Sequence, residues 1–538
     1  MRQNIMADNN GLRKNKIGLF GVVGMIYAMT AAGAYGIEDM VSSSGPGMTV
    51  IMLFILPLIW AFPIALSSCE LGSAIPEECG YYKWVQRALG EYWGFQVGWL
   101  KDVGIFINNA TFVVLAGDYV ASYLGLSSVG AYVMKAVIII IFMIINLRGV
   151  KEVALVSTII SVFIVVAFAG IAIIGFTHMN YNPFTPVVAE GQTVVSSIGA
   201  SIAIGMWMYA GYETMSSLAG ELEDPQIIPK GILLALPLII GTYVIPTVAS
   251  VGSIGQWDAW GSDGVSYINV ALQYAPAFAV LFVAVAFASN ISMFNVYLAT
   301  GARNFFIIAE DNLFPKFLTK VGKKYGTPYV TIVGLSLVSL VLCALKFDVL
   351  VTAVALLNMG FYSLILISQI VLRKKEPDLA RPFKIKLGGD VGNMIFCSIP
   401  IAVAFVALYI NGTDYFVGGL LAMCAGPVAY MIFKPAFGGL YKKDPANNPL
   451  NMKTKMASRD TDRIAISFAI IGILFLIGRV FLPWYDDPAY YIEVYGNPHI
   501  FDTFMNVTLI GGIVCVVIAI AFYLIGKKVE KPENIIRA

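Results

Sequence analysis

Two hydrophobic segments, each long enough to cross a bilayer, are interrupted by glycine and followed at once by acid. The first begins at Ile17 and breaks at Ala32-Gly33-Ala34-Tyr35-Gly36, with Glu38 and Asp39 directly after it. The second begins at Ser196 and breaks at Tyr209-Ala210-Gly211-Tyr212, with Glu213 directly after it. Inside hydrocarbon an unwound stretch leaves backbone N–H and C=O groups unpaired, so it persists only against protein or a polar cavity. Matched breaks in two halves of a chain point to a binding site at mid-membrane.

The rest of the 538-residue chain agrees with a membrane setting. It is 58% hydrophobic and only 13% charged, with a mean hydropathy of +0.78; a soluble domain carries about 25% charged residues. The net charge of +2 and the lack of a basic cluster interleaved with aromatics argue against a nucleic-acid partner. Cys69, Cys79, Cys343, Cys397, Cys424 and Cys515 are scattered, without the spacing of a metal site or a disulfide framework. No metal and no cofactor are expected. The polar stretch 1–16 runs straight into a full-length span, which reads as no cleaved signal peptide.

Runs of about 20 apolar residues predict about 14 transmembrane helices in an all-α membrane protein. They start near Ile17, Val50, Tyr92, Val129, Glu152, Ser196, Gly231, Pro276, Pro328, Val349, Asn393, Tyr415, Ile464 and Asn506. With this map, all of the 35 lysines and arginines except Lys101, Lys135, Lys346 and Arg479 fall on one side. Such a bias marks the cytoplasmic side. The expectation is a multi-pass protein of the cytoplasmic membrane with both termini cytoplasmic, in contact with membrane lipid. The boundaries are a tail at 1–16, spans 1–5 at 17–177, spans 6–10 at 196–372, spans 11–12 at 393–435, two additional spans at 464–526, and a tail at 527–538. Spans 1–5 and 6–10 form two inverted repeats, each opening on a broken helix. No residue-level identity between the halves supports this; the matching breaks do.

Four stretches then carry a family resemblance. They are Gly36-Ile37-Glu38-Asp39 with Ser44-Gly45-Pro46-Gly47; Cys69-Glu70-Leu71-Gly72 through Gly90-Glu91-Tyr92-Trp93-Gly94-Phe95-Gln96; Tyr209-Ala210-Gly211-Tyr212-Glu213 through Gly220-Glu221, Asp224-Pro225 and Ile228-Pro229-Lys230; and Ala302-Arg303 through Ala309-Glu310-Asp311, Leu313-Phe314-Pro315-Lys316 and Gly326-Thr327-Pro328. In this order the chain resembles the amino acid–polyamine–organocation family of secondary transporters over about Ile17 to Lys434. The resemblance implies a leucine-transporter fold with 5+5 inverted repeats and spans 1 and 6 broken. It also implies a small-molecule substrate, an amino acid or organic amine, moved by alternating access with a co-transported proton or a counter-substrate. The first two stretches look most like eukaryotic polyamine uptake transporters. The span-6 stretch looks more like bacterial arginine–agmatine exchangers, whose stacking tryptophan and proton-sensitive glutamate fall on Trp207 and Glu213. An amino acid is the first expectation and a polyamine or other amine the alternative, because Asn108 stands where polyamine transporters carry an acid.

The residues themselves suggest roles. Unwound Gly33, Ala34, Tyr35 and Gly36 would offer N–H groups at the positive end of a half-helix, which suits a substrate carboxylate. Glu38 either caps those N–H groups, opposing such a carboxylate, or attracts an amine; Asp39 either joins it or caps the span. Glu213 either carries a proton, as intramembrane acids often do, or holds the unwound segment together with Tyr209 and Gly211. Trp207 either stacks on a substrate cation or packs as an ordinary tryptophan. Lys101 is read as a structural partner of Asp102 or Glu70. Asn109, Asn290, Ser292, Asn295 and Asn358 are secondary candidates, since polar residues also bond between packed spans. Some proton-coupled relatives carry a span-5 lysine; this chain has Ile164 there. A channel would need a filter repeat, and an enzyme would need more than the isolated His178 and His499. A receptor would need a large soluble domain. No Walker-type run occurs, so transport would be gradient-driven or exchange, not ATP-driven.

Overall fold

The computed structural model describes residues 18–31, 33–77, 79–148, 153–216, 227–261 and 264–536. The tail 1–16, Ala32, Gly149 to Glu152, and the motif residues Gly220, Glu221, Asp224 and Pro225 lie outside the described residues.

The first broken span is α1 (Leu19–Thr30) and α2 (Ile37–Ser44). It is followed by α3 (Pro46–Leu56), a π-helical turn at Pro57–Ala61 and α4 (Phe62–Ala74). The turn sits where Pro57 and Pro63 lack N–H groups that an α-helix would use. A short α5 (Gly80–Leu89) leads into α6 (Glu91–Leu124), α7 (Ser128–Arg148) and α8 (Val153–Thr177). The second broken span is α9 (Val194–Met208) and α10 (Tyr212–Ser216). Then come α11 (Ile227–Ile254), α12 (Tyr267–Tyr274), α13 (Pro276–Glu310), α14 (Tyr329–Leu342) and α15 (Phe347–Lys375). The chain ends with α16 (Gly389–Ile410), α17 (Thr413–Phe437), α18 (Asp460–Tyr485), α19 (Pro488–Tyr495) and α20 (Ile500–Val529).

Twelve of these segments are long and apolar enough to cross a membrane among the described residues, counting Pro46–Ala74 and Val194–Thr214 as one each. Leu19–Ala28 and Tyr329–Leu342 are apolar but shorter. The protein is therefore an all-helical membrane protein with twelve candidate spans. The expected starts near Ile17 and Pro328 fall on the two shorter helices. One two-residue antiparallel pair, Leu450–Asn451 with Ile535–Ile536, departs from the all-α expectation. It joins the end of the chain to the α17–α18 connection.

The two broken spans pack head to tail. Helix α1 contacts α10, and α2 contacts α9, so the breaks lie side by side. Helices α6, α13 and α15 pack together, with α6 shared between the other two. Helices α18 and α20 pair with each other and dock on α17. Tyr92 Oη donates to Ser467 Oγ at 2.8 Å, and Tyr409 Oη donates to the Leu474 carbonyl at 3.0 Å, tying the added pair to the core. Outward residues such as Ile510, Val517 and Ile520 are exposed and apolar, as a lipid-facing surface requires.

Charged side chains gather at the face where α4, α13, α15 and α17 end. Arg373 grips Glu70 through Nε at 2.8 Å and Nη2 at 2.5 Å, and the Ile385 N–H donates to the same carboxylate at 2.8 Å. Lys434 Nζ lies 2.6 Å from Glu91 Oε2, both buried. Asp311, just beyond α13, meets Lys83 at 2.7 Å and Lys443 at 2.9 Å. Burial pushes the Asp311 carboxyl up, but the two lysines outweigh it and hold it below its ordinary value.

Removing one member of a buried ion pair strands the other charge, at about 3–5 kcal/mol. Arg373→Met should therefore lower the thermal midpoint in detergent, and adding Glu70→Leu should restore part of it. The Asp311 interaction stabilises above the ordinary carboxylate value of about 3.9 and is lost as pH falls through the lower folded value. The deficit of Asp311→Asn, measured by thermal melting, should be constant from neutral pH to about 5 and shrink only below about 4.

Candidate substrate site

The first break is built on glycine. Gly33 has φ +111° and Gly36 φ +93°, a region that costs other residues strain. A Cβ would stand 2.4 Å from the Phe168 ring at Gly33 and 2.4 Å from the Phe347 ring at Gly36. Glu38 reaches back over the start of α2. Its Oε2 accepts the Gly36 N–H at 2.7 Å, and Tyr119 Oη donates to its Oε1. Glu38 is fully buried and Asp39 is half-buried. The capping alternative is thus the geometry observed for Glu38.

The second break is closed by aromatic side chains. Trp60 Nε1 donates to the Met206 carbonyl at 3.2 Å, and Tyr243 Oη to the Met208 carbonyl at 3.1 Å. Tyr209 Oη donates to the Leu53 carbonyl at 2.8 Å. The Gly211 N–H, at φ +113°, donates to Tyr362 Oη at 3.0 Å. The Trp60, Tyr243 and Tyr362 bonds answer, from distant helices, for backbone groups the broken helix cannot satisfy, while Tyr209 serves a carbonyl of α3.

Between the breaks lies a cavity of about 30 Å³. That holds only about two water molecules, so a substrate needs the site to widen. Its lining includes the predicted Gly33, Tyr35, Asn108, Trp207, Gly211, Asn290 and Asn358. Thr30, Lys101, Phe112, Tyr243 and Tyr297 also line it. Ala34, Gly36, Glu38, Tyr209, Glu213 and Asn109 are not among its lining residues. Trp207 is half-buried, and its Nε1 donates to Asn108 Oδ1 at 2.7 Å. Asn108 therefore sets the orientation of the indole. Asn295 bonds to Asn146 at 2.7 Å, an interhelical contact away from the lining. Ile164 is buried in the apolar core.

Lys101 requires a correction. Its expected partners were Asp102 or Glu70, but Glu70 is held by Arg373. Lys101 Nζ instead lies 2.6 Å from Glu213 Oε1, across 112 residues of sequence. Tyr362 Oη donates to Glu213 Oε2 at 2.8 Å. The Lys101 ammonium also lies 4.8 Å from the Phe361 ring centroid. Glu213 is thus coupled through Tyr362 to the Gly211 N–H, and through Lys101 to α6. Sequence reasoning marked Glu213 but missed Tyr362 and Tyr243. A tyrosine in an apolar span gives no local sign of which distant carbonyl or carboxylate it will meet.

The glycines yield a direct test. Gly36→Ala combines a strained φ, worth about 1–3 kcal/mol, with a clash against Phe347. It should lower the melting midpoint, whereas alanine at exposed Gly496, where a Cβ meets nothing within 4 Å, should pay only the strain.

The comparisons agree with this architecture. The sequence pattern of the family described as amino acid permease matches residues 17–415. A probable polyamine transporter of Arabidopsis thaliana is 31% identical over 402 residues, 73% of this chain and 79% of that protein. A polyamine transporter of Oryza sativa subsp. japonica is 29% identical over 437 residues, covering 79% of each. The branched-chain amino acid permease of Bacillus subtilis is 26% identical over 398 residues, 68% of this chain and 81% of that protein. Matched from the first broken span to the start of α17, the chain belongs to the amino acid permease family of the amino acid–polyamine–organocation superfamily, whose members are membrane transporters rather than enzymes.

Proposed function

We propose that the protein carries an organic amine of the polyamine class across the cell membrane by alternating access, in the leucine-transporter fold. The head-to-tail breaks and the five-span spacing between them support two inverted repeats. The twelve long helices, with α14 and the α1–α2 pair, support about 14 spans. The clustered ion pairs and basic loops support a cytoplasmic assignment for that face and for both termini.

The single observation that favours an amine over an amino acid is Glu38. Its carboxylate already occupies the Gly36 N–H at the start of α2. A substrate carboxylate placed there would meet a like charge in a medium of low dielectric constant. A substrate ammonium instead finds an aromatic wall of Tyr35, Trp207, Tyr243 and Tyr297, with the Glu213 carboxylate behind it. The relatives named as polyamine transporters support this reading. It reverses the order expected from Asn108, whose amide is engaged in holding Trp207.

The second reading is an amino acid carrier. It rests on the similarity to the Bacillus subtilis permease and on Gly33, whose backbone lines the cavity. In either case Glu213 takes part, as the counter-charge to the amine or as a proton carrier for symport or exchange.

A thermal-melting screen of the purified protein distinguishes the readings. Ligand at about 100 times Kd adds about 2.7 kcal/mol of stability. Putrescine, spermidine or agmatine should raise the midpoint, and Glu213→Gln should abolish that rise. A rise with neutral amino acids alone would overturn the amine assignment in favour of the amino acid carrier.

A further inference from the structure

A second cavity lies where α18 meets the core. Leu100 on α6, Gly360 on α15, Ala404 on α16, Met423 on α17 and Ile471 on α18 line it, and its volume is about 330 Å³. Small-molecule sites span about 300–1,000 Å³. Its walls are overwhelmingly apolar. Phe405 and Ile470 belong to the same wall and are exposed. The cavity is therefore continuous with the surface that the bundle turns to the bilayer, and the medium at its mouth is hydrocarbon. The two serines of the wall are already bonded: Ser363 Oγ donates to the Met359 carbonyl at 2.6 Å, and Ser467 Oγ accepts from Tyr92. Gln96 is different. It lines the cavity, is 6% exposed, and its Nε2 has no hydrogen-bond partner among the described residues.

Water does not fill so apolar a space, and a void would leave the whole lining without dispersion partners. A hydrocarbon chain supplies them. The buried amide donor needs more, an oxygen acceptor that brings no charge into the membrane. Glu91 opens α6 at the basic face, and Gln96 follows it by five residues, about 7.5 Å at the helical rise. In a bilayer with a hydrocarbon core of about 30 Å and an overall thickness of about 40–45 Å, that depth is where headgroups give way to hydrocarbon. The ester carbonyls of a phospholipid lie there. We propose that the cavity seats one acyl chain of a phospholipid, whose ester carbonyl accepts a hydrogen bond from Gln96 Nε2. The chain fills the gap between α18 and the core. Leu100 precedes Lys101, and Gly360 precedes Phe361 and Tyr362, so the lipid backs the two helical segments whose side chains hold Glu213. Helix α18 is then one wall of a lipid site. This inference does not depend on which substrate is carried.

The test is native mass spectrometry of the purified full-length protein, stripped of loosely held lipid by detergent and then titrated with dioleoyl phosphatidylcholine, oleic acid or cholesterol. The wild type should retain one phosphatidylcholine per chain after the remainder has washed away. Ala404→Phe, which puts a ring into the cavity, should lose it. Gln96→Leu keeps the shape and removes the donor, and should weaken retention by about fivefold, the worth of one hydrogen bond. No retained phosphatidylcholine in the wild type would overturn the proposal, as would retention undiminished in Ala404→Phe, or retention of oleic acid or cholesterol alone. If Ala404→Phe does not fold, a phosphatidylcholine carrying a diazirine in its acyl chain decides the matter on the wild type. Photo-adducts on α15 and α16 around Gly360 and Ala404 support the proposal. Adducts confined to outward residues such as Ile510 and Val517 overturn it.

Discussion

Every feature of the site depends on how two broken helices satisfy their backbone groups inside a hydrocarbon medium. In water those groups would simply be hydrated. Here each unpaired N–H or C=O costs several kcal/mol, so the structure recruits partners from elsewhere. Glu38 and Tyr119 serve the first break. Trp60, Tyr243 and Tyr362 serve the second. The partners come from helices far away in sequence, and so the breaks hold the bundle together at the same points where they open it. A movement of α1 or α10 must break some of these bonds and replace them.

The charges follow the same logic of scarcity. On the basic face, buried acids are matched: Glu70 by Arg373, Glu91 by Lys434, Asp311 by Lys83 and Lys443. Such pairs brace the ends of the helices, because breaking one leaves a bare charge. At mid-membrane the matching stops short. Lys101 pairs with Glu213, and neither carboxylate oxygen of Asp102 has a hydrogen-bond partner among the described residues.

The substrate question turns on one carboxylate. Had Glu38 pointed elsewhere, the open start of α2 would have invited an amino acid's carboxylate. By capping the helix itself, it occupies that N–H beside a cavity lined by Tyr35, Trp207, Tyr243, Tyr297 and Lys101. Asn108, a neutral amide, holds the Trp207 indole in place.

Much of the architecture was legible in the sequence. Apolar length is a local property, and it located the helices to within a few residues. Glycine at positive φ is also local, and it located both breaks. The capping role of Glu38 was one of two alternatives open from its position two residues past Gly36. Partner choice was not legible. Lys101 reads as a neighbour of Asp102, yet it bonds to Glu213, 112 residues on. Tyr362 and Tyr243 read as ordinary aromatics of apolar spans. By itself, then, the sequence determined which segments are long and apolar enough to span a bilayer, where two of them unwind, and which transporter family they form. Each of these follows from the hydrogen-bonding and solvation needs of a short stretch of chain. Only the tertiary structure decided which charge meets which. That depends on distances between helices, and a long side chain can reach any of several partners until packing selects one.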